Sequence, residues 1–357
     1  MLFRSTDTFV QLRRFRDGVL DACLADNVER LARDFVDGRK PLFDARVAAG
    51  CIVDGHADLL ADDIFCLDDG PRVLDCLEFD DQLRYVDVLD DVAFLAMDLE
   101  HLGAAEAARD FLDRYAEFSG DHAPAALREH FVGYRAFVRA KVACLRHEQG
   151  DPAAADDART FAELAFRHLC RGVVRLILVG GMPATGKTVL SGRLADQLGG
   201  VVLSSDRIRK ELAGLEPSRS AVAAYRQGLY APQWTCRTYS ELLHRARELL
   251  GLGETVILDA SWADRAYRRE ALALAGQTRA AAVELRCTAA PGTVAARLAQ
   301  RRAAPSEASD ADRTIAAALA EDADAWPQAH VIATDEFGYE SRAVALIRKT
   351  DIPPPHR

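Results

Sequence analysis

No C-x-x-C pair occurs in the 357-residue sequence, although eight cysteines (Cys23, Cys51, Cys66, Cys76, Cys144, Cys170, Cys236 and Cys287) are scattered through it. Zinc sites and dithiol redox motifs need ligands at short, paired spacing, so neither is indicated, and the thiols are expected to be buried and reduced. Lysine is scarce: Lys40, Lys141, Lys187, Lys210 and Lys349 are five among 45 basic residues, so a lysine inside a motif is unusually informative. Long apolar runs are missing as well. The longest uncharged stretch is residues 176–186, well short of the roughly 20 apolar residues that span a bilayer, and no membrane segment is expected. The N-terminal text "MLFRSTDTFVQLRRFRDG" carries Arg4, Asp7, Arg13 and Arg14 where a secretion signal would be apolar, which points to the cytoplasm.

What is present suits a globular chain of two domains. Hydrophobic residues make up 49% of the sequence, enough for two cores. Charge divides unevenly. Residues 1–170 hold 34 acids against 20 bases, net −14, and residues 171–357 hold 21 against 25, net +4, giving −10 for the whole. An acidic first half argues against duplex nucleic acid as a partner, and a mildly basic second half suits an anionic ligand such as a nucleotide.

In "VLDACLADNVERLARDFV" the apolar residues Leu20, Leu24, Val28, Leu31 and Phe35 recur at helical spacing, which predicts an opening helix. "CIVDG" and "RVLDCLEF" read as short strands flanking residues 55–63, with "LDDGP" as a turn signal between them. Three helical segments follow, and "QGDPAAADD" at 149–157 has the composition of a linker. The helix after it could pack on either side. From residue 173 the rhythm changes to short apolar strands, "VVRLILVG", "GGVVLSS", "ETVILDA", "AAAVELRC" and "HVIAT", with helical text between them. Such alternation predicts an α/β domain of three layers with a parallel sheet. The expected domains are 1–170 and 171–357.

The first of these strands runs into "GGMPATGKT", a G-x-x-x-x-G-K-[ST] pattern formed by Gly181, Gly186, Lys187 and Thr188. Backbone N–H groups of such a loop cradle phosphates, the lysine neutralises β/γ charge, and the threonine hydroxyl holds Mg²⁺. Gly181, Met182, Pro183, Ala184, Thr185, Gly186, Lys187, Thr188 and Val189 are therefore the expected ATP-binding residues. "VILDAS" ends a strand with Asp259, a candidate partner for the metal. "SSDRIRKEL" offers Asp206 and Arg209 one helical turn apart, an acid to take a proton from a hydroxyl and an arginine to orient it. "TVAARLAQRRAAPSEASDADRTI" supplies Arg297, Arg301 and Arg302 at helical spacing, then a polar loop and Arg313, the makings of an arginine-bearing lid.

Together these residues resemble the P-loop kinases related to zeta toxins and polynucleotide 5′-hydroxyl kinases, over residues 173 to 350. The resemblance implies Asp206 as base, Arg209 as acceptor ligand, and Arg297 and Arg301 as lid residues.

"HADLLADDIF", followed by "VLDCLEF", resembles the catalytic loop and metal strand of the aminoglycoside phosphotransferase family, H-G-D-x-x-x-x-N and then an aspartate. The match implies Asp58 as base, Asp63 in the asparagine position and Asp75 as Mg²⁺ ligand, with Ala57 in place of glycine. "RYVDVLDDVAFLAMDLEHLG" is similar to the text that follows in a bacterial group fusing such a domain to a P-loop kinase. Residues 1–55 contain only Lys40 and four isolated glycines, without the glycine-rich hairpin and lysine that cover ATP in that family. The first half is thus expected to be a mainly helical partial C-lobe without catalysis of its own, with a weak metal site at Asp58, Asp63 and Asp75 as the alternative.

The combined expectation is a kinase using ATP and Mg²⁺ to phosphorylate a hydroxyl of a small-molecule or nucleotide-like acceptor. The alternative is an ATP-dependent switch whose first lobe docks a protein partner.

Overall fold

A computed structural model describes residues 8–78, 80–216, 227–303 and 318–349. The chain divides into two compact units at Val173/Val174.

The first unit is mainly helical. Helix α1 (Ala22–Gly38) starts where Asp21 caps it by accepting from Leu24 N at 2.7 Å, and it buries Val28, Leu31 and Phe35 as the spacing predicts. After α2 (Lys40–Ala48) come two small antiparallel pairs: β1 (Ile52–Asp54) with β4 (Tyr85–Asp87), and β2 (Ile64–Leu67) with β3 (Gly70–Val73). This corrects the strand reading of the sequence. "RVLDCLEF" is strand only to Val73, "IFCL" is a strand not foreseen, and β1 pairs with β4 beyond both. The Asp68–Asp69 turn holds β2 and β3 together locally, and the partner of β1 comes from more distant text.

Helices α3 (Val88–His101), α4 (Ala105–Ser119), α5 (Ala125–Glu148) and α6 (Ala154–Arg171) complete the unit. Residues 149–157 are not a linker between domains, because α6 already begins at Ala154 and packs on α5 within the first unit. Small residues permit that packing. Ala158, Ala162 and Ala165 on α6 are fully buried, and a Cβ on Gly133 of α5 would lie 2.9 Å from Leu169 Cγ. The alanine-rich text therefore encodes a tight helix–helix seam.

The second unit is a five-stranded parallel sheet of order β6-β7-β5-β8-β9. Its elements are β5 (Arg175–Gly180), α7 (Lys187–Leu198), β6 (Val201–Ser204), α8 (Ser205–Leu212), α9 (Pro232–Gly251), β7 (Val256–Asp259), α10 (Arg265–Gln277), β8 (Ala281–Thr288), α11 (Pro291–Ala303), β9 (His330–Ala333) and α12 (Tyr339–Lys349). β5 lies at the centre and is buried at all six positions, which explains its unbroken apolar text. Ile177 and Val179 face a core built with Leu190 and Leu194 of α7 and Val344 and Ile347 of α12. Parallel pairing in register brings Val179, Ser204 and Asp259 side by side at the C-terminal strand ends, where ligands of such sheets bind.

No disulfide forms among the eight cysteines. Burial is not general, however: Cys144 and Cys287 are buried, whereas Cys23, Cys66, Cys76 and Cys236 are exposed. Among the described residues no helix is long and apolar enough to cross a membrane.

Candidate active site

The loop between β5 and α7 has a path that needs glycine at two positions. Gly181 sits at φ +134°, where a Cβ would meet the Cys287 carbonyl oxygen at 2.5 Å, and Gly186 at φ +88°, where it would meet Thr334 Oγ1 at 2.8 Å. Ala184 also takes a left-handed conformation, φ +63°. The loop is braced from several sides: Thr185 Oγ1 donates to Met182 O at 2.7 Å, Thr334 Oγ1 to Thr185 O at 2.7 Å, and Gly181 N to Ser261 O at 3.1 Å. Lys187 folds over it and donates from Nζ to Met182 O at 3.0 Å. A concave, pre-shaped turn that opens a helix is the geometry of an anion cradle.

At the first turn of α7, Thr188 Oγ1 donates to Asp259 Oδ2 at 2.8 Å, and Asp259 is 5% exposed. A hydroxyl and a carboxylate side by side form an oxygen donor set that fits a hard divalent cation.

Across the cavity, α8 presents Asp206 and Arg209 on one face, with Arg209 Nη1 donating to Asp206 Oδ1 at 2.5 Å. The Arg209 guanidinium lies 4.7 Å over the Tyr230 ring. Both ends open into a single cavity of about 400 Å³. Of the loop residues expected to hold nucleotide, Pro183, Ala184, Gly186, Lys187 and Thr188 line it. Gly181, Met182 and Thr185 do not, and Val189 is 56% exposed on α7.

The rest of the lining was not foreseen from the sequence. Tyr239 of α9 stacks on Tyr267 of α10 with ring centroids 4.1 Å apart, and Tyr230 and Ser261 complete this wall. Tyr239 bonds through its hydroxyl to Ser261 Oγ at 3.2 Å and accepts from Trp262 N at 3.3 Å, and its burial pushes the phenol's pKa up. Trp262, 1% exposed, adopts φ +53°, unusual for a bulky residue. Arg268 holds it by donating from Nη1 to its carbonyl at 2.5 Å. The available signal was the polar text "SWAD" directly after the strand that ends in Asp259, at the end of the sheet where ligands collect.

The lid arginines part company. Arg297 donates from Nη1 to Ala184 O at 3.3 Å and to Thr334 Oγ1 at 3.0 Å, and from Nη2 to Thr334 O at 3.2 Å. It braces the phosphate loop and does not line the cavity. The side chains of Arg301 and Arg302, and Arg313 as a whole, lie outside the described residues.

In the first unit the His56–Asp63 loop is clamped through its backbone. Asp91 accepts from His56 N and Ala57 N, each at 2.8 Å, and Arg135 Nη1 donates to Ala57 O at 3.1 Å. Ala57 stands at φ +67°, a conformation that favours glycine. Burial raises the Asp58 carboxyl against the lowering effect of Arg139 and Arg135. Asp58, Asp63 and Asp75 are not gathered into a metal-ligating group, and among the described residues no three His, Cys, Asp or Glu side chains are.

Residues 176–325 match the model of an AAA domain. The match falls within the second unit, whose parallel sheet carries the phosphate loop. Over 338 residues the chain is 45% identical to Uncharacterized protein Rv2004c of Mycobacterium tuberculosis and to Uncharacterized protein Mb2027c of Mycobacterium bovis, covering 95% of this chain and 67% of theirs. It belongs to the family of these mycobacterial proteins and spans about two thirds of their length. Among solved structures, Chaetomium thermophilum Kti12 in complex with ADP-AlF3 is 18% identical, covers 50% of this chain and 99% of its own, and has a TM-score of 0.38. A gluconokinase from Sinorhizobium meliloti is 13% identical, covers 49% of this chain and 94% of its own, and has a TM-score of 0.32.

Proposed function

We propose that the second unit binds Mg·ATP and transfers its γ-phosphoryl group to a hydroxyl of a small-molecule or nucleotide-like acceptor. The observation that carries this reading is one cavity lined both by Lys187, Thr188 and Asp259 and by Asp206 and Arg209. A nucleotide site without an acceptor would have no use for the second pair.

Lys187 exchanges Met182 O for the β/γ-phosphate oxygens and offsets their charge. Thr188 and Asp259 would hold Mg²⁺, which would supply further positive charge against the phosphates. Asp206 accepts the proton of the acceptor hydroxyl while Arg209 orients both. The acceptor oxygen bonds to the γ-phosphorus as the bridging P–O bond to the β-phosphate breaks, leaving ADP and a phosphorylated acceptor. Arg297 keeps the loop in shape through Ala184 and Thr334.

Titration calorimetry with Mg·ATP tests the first step: one site is expected in the parent chain and none in Lys187→Ala. Transfer to a panel of alcohols tests the second. Asp206→Asn should bind Mg·ATP normally and lose about 10²- to 10⁴-fold in transfer. Undiminished transfer by this variant would remove Asp206 as the base.

A further inference from the structure

Acidic side chains outnumber basic ones in the cavity lining. Besides Lys187, Arg209 is the only basic side chain lining it among the described residues, and it is paired with Asp206 and set over Tyr230. Its side chain is nine-tenths buried, and its Nε has no hydrogen-bond partner among the described residues. Asp264 and Asp324 also line the cavity. Ala266 N donates to Asp264 Oδ1 at 2.7 Å and Arg265 N to Asp324 Oδ2 at 2.8 Å, which fixes both carboxylates in place. Arg268 is buried, 5% exposed, donates to the carbonyls of Trp262, Ala263 and Ala325, and does not line the cavity. The Tyr239–Tyr267 stack and Tyr230 give the same cavity an aromatic lining.

Carboxylates beside aromatic faces favour a cation, and like charges placed opposite them exclude an anion. Resting on the kinase reading above, we infer that the acceptor is a ring-bearing alcohol carrying a protonated amine. Its ring lies against the tyrosines, its ammonium faces Asp264 and Asp324, and its reacting hydroxyl reaches Asp206 and Arg209. Alcohols that bear a phosphate or carboxylate are discriminated against, because Lys187 serves the nucleotide phosphates and Arg209 is already paired with Asp206.

The test is γ-phosphoryl transfer from labelled Mg·ATP to two matched triplets: glucosamine, glucose and glucuronate, and scyllo-inosamine, scyllo-inositol and scyllo-inositol 1-phosphate. An amine member should exceed its neutral and anionic counterparts by about tenfold in kcat/KM. The double variant Asp264→Asn/Asp324→Asn keeps the oxygens that accept from the backbone and removes only the charge. It should reduce that preference to about threefold or less, with Mg·ATP affinity unchanged. The inference is overturned by preference for a neutral or anionic member, by a preference that survives the double variant, or by no transfer to any of the six while Mg·ATP is bound. Loss of Mg·ATP binding in the parent chain would instead overturn the kinase reading itself.

Discussion

Thr188 Oγ1 and Asp259 Oδ2 lie 2.8 Å apart although 71 residues separate them in the chain. One stands on the first turn of α7 and the other at the end of β7, and the parallel pairing of β5 with β7 brings them together. Asp259→Asn keeps an oxygen for the threonine hydroxyl but removes the charge a divalent cation needs. The expected result is an ATP affinity that no longer tightens when Mg²⁺ is added, read by titration with and without the metal. Persistence of the magnesium effect would move the metal elsewhere.

Gly186→Ala should damage the loop twice over. The left-handed conformation costs a Cβ-bearing residue about 1–2 kcal/mol, and the new methyl would press on Thr334, which also holds Thr185 and Arg297. A lower melting temperature together with loss of ATP binding is expected. ATP binding at parental affinity would show that the loop does not need this path.

His168 should give the first unit a pH-dependent stability. Its Nδ1 is 2.7 Å from Glu129 Oε2 and its Nε2 is 2.9 Å from Glu100 Oε2, which joins α6 to α5 and α3. Burial lowers the imidazole pKa, but the bonds to Glu100 and Glu129 outweigh it, so the folded value lies above the ordinary 6.5. The bond to His168 likewise holds the Glu100 carboxyl below its usual range. A raised folded value means that the stabilisation is complete below the unfolded pKa and is lost as pH rises through the folded one. Thermal unfolding followed from about pH 6 to about pH 9 should show that decline in the parent chain and a flatter profile in His168→Gln. Matching profiles would mean that the histidine does not titrate in this window.

Arg135 and Asp90 form a buried bidentate pair, Nε to Oδ1 at 2.8 Å and Nη2 to Oδ2 at 3.0 Å. Arg135→Ala strands the Asp90 carboxylate and frees Ala57 O, and should cost about 3–5 kcal/mol in denaturant unfolding. Replacing both partners, as Arg135→Met with Asp90→Leu, should cost less than the single change. Equal costs would argue that packing of Arg135 on Phe94, rather than the ion pair, is what the single variant loses.

Much of the second unit was legible before its coordinates. A short continuous apolar run such as residues 176–179 suits a strand covered on both faces, and five such runs separated by helical text leave little choice of architecture. The first unit was legible in its helices and less so in its strands. Three- and four-residue strands carry no periodicity long enough to read, and β1 finds its partner beyond two intervening strands. The 149–157 segment misled because small residues that suit a linker equally suit a close helix seam.

The sequence by itself determined the phosphate loop, because its φ angles and the start of α7 depend on residues within one short stretch, glycine at 181 and 186 above all. It also determined the one-turn spacing that sets Asp206 beside Arg209. Only the tertiary structure decided that Tyr239, Tyr267 and Ser261 share a wall, that Arg297 braces the loop instead of standing in the cavity, and that His168 answers to two glutamates on other helices. These depend on where crossovers deliver side chains from separate elements, and no local pattern records that.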